Sequence, residues 1–82
     1  MPRRREPQYG IGEAIRRARL ARGMTQRELA DRADGDVTWL SRLERGGNPA
    51  WGTIARIARA LEMRVSELAA MAEELEARRP PD

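Results

Sequence analysis

The sequence predicts an all-α fold of five helices. Three observations carry this. Apolar residues recur at helical spacing, as with Ile11, Ile15 and Ala18. β-branched and aromatic residues never alternate over a useful length. Gly, Pro, Asp and Thr punctuate the chain at short intervals, in the positions where helices start and stop.

Residues 1–10 hold Pro2, Pro7, Gly10 and three consecutive arginines, and read as a flexible basic arm. The first helix is expected from about Ile11 to Arg22, with Gly23 ending it. Thr25-Gln26-Arg27-Glu28 is a capping box: the Thr hydroxyl accepts from a free N–H, and Glu28 reaches back. The second helix it opens is short and ends near Ala33. Asp34-Gly35 forms a tight turn, and Asp36 caps a third helix that runs to about Arg45, where Gly46-Gly47 stops it. Asn48-Pro49 leads into a fourth helix over about Ala50–Leu61, whose apolar stripe is Trp51, Ile54, Ile57, Ala58 and Leu61. Trp51 is expected at the edge of the core. The fifth helix starts near Val65 or Ser66 and runs to about Arg78, before Pro80-Pro81. The organisation expected is an arm over 1–10, one domain over 11–78 and a tail over 79–82.

Composition narrows the function. All 16 basic residues are Arg, and there is no Lys, His, Cys or Phe. Lack of Cys removes disulfides, thiolate nucleophiles and Cys-ligated metals. Lack of His removes the commonest neutral-pH base and metal ligand. No cofactor, metal or enzymatic activity is expected, and no membrane span or secretory leader; a cytoplasmic protein is expected. Leu, Ile and Val number only 13, matched by 13 Ala, which suits closely packed helices. Residues 1–22 carry seven Arg against Glu6 and Glu13, net +5, whereas residues 65–82 carry net −3. A basic front points to a polyanion, and an acidic tail to another role.

A second helix, a short turn and a third helix form the layout of a helix-turn-helix. The run Gln26-Arg27-Glu28-Leu29-Ala30, then Leu40-Ser41-Arg42-Leu43-Glu44-Arg45-Gly46 and Asn48-Pro49, resembles the phage-repressor (Cro/repressor-like, XRE-type) family. Arg19 and Ile57-Ala58-Arg59-Ala60-Leu61 extend the likeness to roughly residues 11–70. It implies a lambda-repressor-like DNA-binding domain whose third helix enters the major groove of double-stranded DNA.

By resemblance, Val37, Thr38 and Arg42 face the bases. Arg42 suits a bidentate contact with guanine. Val37 reads only a thymine methyl, or else packs beneath the turn. Gln26, in the first turn of the second helix, is expected on a phosphate, and Arg45 and Asn48 on the backbone. Trp39 is expected to be largely exposed, resting on a sugar–phosphate edge or across neighbouring helices. Arg19 and Glu44 are expected to form a buried ion pair. The arm either reaches around the duplex or adds non-specific affinity. Two departures stand out. The family usually places Gly then an apolar residue in the turn, where this chain has Asp34 then Gly35, so the core is expected to be looser there. The third helix also begins unusually apolar, with Val37-Thr38-Trp39.

In the fifth helix Val65, Leu68, Ala72 and Leu75 keep a heptad spacing, with Met71 widening the stripe. The core uses Val65 and Leu68, which leaves Met71, Ala72 and Leu75 for a two-fold partner. The resulting expectation is a homodimeric transcriptional regulator on a near-palindromic operator. The alternative is an antitoxin-like module whose acidic Glu73, Glu74 and Glu76 stretch binds a toxin-like protein.

Overall fold

The computed structural model describes residues 9–79, arranged as α1 (Tyr9–Ala21), α2 (Gln26–Arg32), α3 (Val37–Glu44), α4 (Trp51–Ala60) and α5 (Val65–Ala77). Every described element is helical. Ile15, Leu29, Leu40, Ile57, Leu61 and Leu68, one or two from each helix or its cap, are fully buried and form the centre of the core. Ala14, Ala18, Ala30, Ala33 and Ala58 are also buried. Their small side chains let helix axes approach closely, which offsets the scarcity of large aliphatic residues.

The capping signals act as the sequence predicts. Thr25 Oγ1 accepts from the Glu28 amide at 3.0 Å, and Glu28 Oε1 accepts from the Thr25 amide at 2.8 Å. Asp36 Oδ1 caps α3 by accepting from the Trp39 amide at 2.8 Å. Asp34 takes the left-handed conformation (φ 59°), as a short polar side chain permits, so the turn closes without a glycine at that position.

Helix α1 begins two residues before the expected start. Gly10 and Gly12 are buried in it. A Cβ on Gly12 would lie 2.6 Å from the Leu43 carbonyl oxygen, and one on Gly10 would overlap the Ala72 carbonyl. Absence of side chains here lets α1 lie against both α3 and α5. The contact with α5, the most extensive between any two helices, is closed by the Gly10 amide donating to Glu76 Oε1 at 2.9 Å. Arg79 lies 5.5 Å from the Tyr9 ring centroid and pairs with Glu76 at 3.3 Å.

This corrects the premise that Ala72 and Leu75 have nothing left to cover in their own chain: both, like Met71, are half-buried and pack against the core. Trp51 departs the other way. It is 66% exposed rather than at the core edge: Ile57, Ala58 and Leu61 of the same stripe are buried, but Trp51 is the first residue of α4 and the core does not extend to it. The Arg3–Arg5 arm and the tail beyond Arg79 lie outside the described residues. No helix among the described residues is long and apolar enough to cross a membrane.

Candidate nucleic-acid interface

Helix α3 has two unlike faces, as its ~100° per residue turn requires. Leu40, Leu43 and Glu44 are buried. Thr38, Arg42 and Arg45, at i, i+4 and i+7, form one exposed stripe, and Asn48 is exposed just beyond. Among the described residues the guanidinium groups of Arg42 and Arg45 have no ion-pair or hydrogen-bond partner. Arg16 and Arg17 are engaged with Glu13 and Arg22 with the Ala18 carbonyl, whereas Arg27, Arg32, Arg59, Arg64 and Arg78 are as free as the pair on α3. Two free, fully charged forks on one helical face present the donor geometry that guanine edges and phosphates accept. Val37 is half-buried at the margin of this stripe.

Behind the stripe a polar network fixes α3. Arg19 Nε donates to Glu44 Oε2 at 2.7 Å and Nη2 to Oε1 at 3.1 Å, a bidentate pair whose side chains are 10% and 3% exposed. Arg19 Nη1 donates to the Met24 carbonyl at 2.9 Å. Gln26 Nε2 donates to Glu44 Oε1 at 3.0 Å. Glu44 therefore joins α1, α2 and α3 through three hydrogen bonds. Gln26 sits half-buried inside this network, at the first residue of α2, with its amide nitrogen already in use.

Trp39 is half-buried rather than largely exposed. Its indole lies over Gly35, where a Cβ would meet Cδ2 at 2.9 Å and overlap Cε3 and Cζ3. The Arg56 guanidinium stands 5.2 Å from the ring centroid on the same indole. Trp39 thus occupies the space left by the missing apolar turn residue, and the expected loosening of the core is corrected. The pattern that could have shown this is the pairing of Gly35 with an aromatic residue four positions on.

A polar stripe on the second helix of a helix-turn-helix, backed by a buried scaffold, defines a DNA-binding domain. The family model described as "Helix-turn-helix domain" matches residues 11–71. The chain belongs to this XRE-type family of DNA-binding transcription regulators. Among solved structures it is similar to the clp gene regulator ClgR of Corynebacterium glutamicum (31% identity, 82% of this chain and 88% of that one, TM-score 0.79). It is also similar to the restriction-modification controller C.AhdI of Aeromonas hydrophila (31% identity, 74% and 90% covered, TM-score 0.72). A third, the controller C.Esp1396I, is 26% identical over 87% of this chain and 94% of that one, with a TM-score of 0.79. Comparison with curated proteins gives no significant match.

Proposed function

We propose that the protein is a sequence-specific regulator of transcription that binds a near-palindromic operator as a homodimer. The observation that carries this is the exposed, unpartnered Thr38–Arg42–Arg45 stripe on a helix whose opposite face is buried. Similarity to proteins named as a gene regulator and as restriction-modification controllers supports the regulatory part. Arg42 reads a guanine, Thr38 a neighbouring base, and Val37 a thymine methyl at the margin. Arg45, Asn48 and the second N–H of the Gln26 amide, the one not bonded to Glu44, hold the backbone. Trp39 acts from behind the helix rather than on the duplex. The half-exposed edges of Met71, Ala72 and Leu75 are the surface assigned to the second copy.

Selection of bound sites from random duplexes tests the reading, with titration of the preferred site and its single-base variants afterwards. Arg42→Ala is expected to cost ~1–3 kcal/mol and to relax preference at one base pair per half-site. Gln26→Ala is expected to weaken every site alike, since phosphates carry no sequence information. Sedimentation of the complex is expected to show two chains per site. No preferred site at low salt, or a single chain per site, sinks the proposal.

A further inference from the structure

Arg56 does more than cover an indole. Its Nε donates to the Ala33 carbonyl at 2.9 Å, and Ala33 is the C-cap of α2. The same guanidinium faces Trp39, in the first turn of α3. One side chain of α4 therefore grips both sides of the α2–α3 turn. The turn itself contributes no side chain at Gly35, and the Trp39 ring fills that space. Trp39 sits on the margin of α3 nearest buried Leu43, off the Thr38–Arg42–Arg45 stripe.

We infer that Trp39 and Arg56 are positioning residues for DNA recognition, which set the angle of α3 against α2 without touching the duplex. The inference rests on the proposed reading of DNA by α3. A recognition helix that samples several angles presents Arg42 and Thr38 correctly only part of the time, and apparent affinity falls by that fraction. Non-specific attraction to phosphates tolerates such wobble, because it needs charge near the backbone rather than a fixed register.

The test uses the full chain at a temperature where circular dichroism shows every variant folded. Binding to the selected site and to a scrambled duplex of equal length is measured across salt concentrations. Gly35→Val restores a turn side chain but collides with the indole, and is expected to weaken specific binding about tenfold, within the usual coupling of residues in contact. Trp39→Ala, which leaves the turn unfilled, is expected to lose a similar factor. The double variant Gly35→Val/Trp39→Ala is expected to return to within about threefold of wild type, because valine now fills the space.

Arg56→Ala is expected to lower specific binding about tenfold while scrambled-duplex binding and the salt slope stay unchanged. Arg56→Lys is expected to behave like Arg56→Ala, since an ammonium cannot both lie flat on the ring and donate from a planar fork.

If the double variant is as weak as the product of the single losses, Trp39 is a DNA contact and the inference falls. It falls too if Arg56→Ala flattens the salt slope by ~0.9, the signature of one lost phosphate contact. A wild-type chain with no preferred duplex overturns the DNA reading itself. Wild-type binding with multiplying losses overturns only the positioning role.

Discussion

Four turns join the five helices, and all four close with the same backbone hydrogen bond. In each, the amide two residues past the helix cap donates back to the third-last helical carbonyl: Met24 to Arg19, Gly35 to Ala30, Gly47 to Arg42, Met63 to Ala58. The left-handed residue is Gly23, Asp34, Gly46 or Glu62 in turn. The turns differ at the next position along the chain. The α1–α2 and α4–α5 turns place Met24 and Met63 there, both packed on the core. The two turns that bound α3 place glycines there, Gly35 and Gly47. Helix α3 supplies the missing bulk itself, with Trp39 over Gly35 and Leu43 Cδ2 at 3.1 Å from a Cβ built on Gly47. A turn's backbone geometry is thus separable from its apolar plug. A helix that carries its own plugs on one face leaves its other face free for polar residues.

The α1–α2 turn is held twice, by Met24 and by the Arg19 guanidinium bonded to the Met24 carbonyl. Glu44→Ala leaves the Arg19–Met24 bond but strips that buried guanidinium of its carboxylate partner, while the Met-plugged α4–α5 turn keeps its contacts. The expected loss in urea unfolding is large, ~3–5 kcal/mol. Amide exchange is expected to quicken around residues 19–26 before it does so around 58–65. A loss below ~1 kcal/mol would mean that the ion pair does not lock this turn.

Met63→Ala sharpens the contrast between plugged and unplugged turns. Met63 is itself the plug at the position that Gly35 leaves to Trp39. Full truncation of a buried Met costs ~2–5 kcal/mol, and Met63 is half-buried, so ~1–2 kcal/mol is expected. Equilibrium unfolding with an unchanged m-value checks this. A neutral result would show that the plug is dispensable.

The parts legible in the sequence are those that depend on near neighbours. The Thr25–Glu28 box, the Asp36 cap and the stops at Gly23 and Gly46 each involve residues within a few positions, and all form as the sequence predicts. The exposed stripe of α3 is legible too, because helical period alone separates Arg42 from Leu43. The failures are contacts between distant segments. Gly10 reads locally as part of the arm, yet it and Gly12 lie in α1 and are small because the backbones of Ala72 and Leu43 pass close by. Nothing near Gly10 announces a residue some sixty positions later. Without α1 starting at Tyr9, the second half of α5 looks uncovered. Trp39 and Trp51 exchange their expected roles for the same reason, since burial of each is decided by where other helices lie.

Two helices, α2 and α5, carry the same reach-back at their starts, Glu28 to the Thr25 amide and Glu67 to the Arg64 amide, both at 2.8 Å. Only α2 adds the reciprocal bond, in which the Glu28 amide donates to the Thr25 hydroxyl. Hydrogen bonds from the Thr25 backbone, then from its side chain, and more weakly the charge of Arg32, hold the Glu28 carboxyl below the ordinary glutamate range, against a small opposing effect of desolvation. A carboxylate favoured in the folded chain stabilises fully above the unfolded pKa, and that contribution is lost as pH falls through the lower, folded value. Glu28→Gln keeps a side chain able to complete the box but removes the titration. The wild type is expected to be the more stable at pH 7, by a margin smaller than the loss at Met63→Ala, and the margin is expected to shrink steadily toward pH 3. Urea midpoints of both proteins across that range isolate Glu28 from the other carboxylates, which titrate alike in each. A margin that stays constant from pH 7 to pH 3 would show that the α2 cap stabilises by geometry alone, and that its charge contributes nothing.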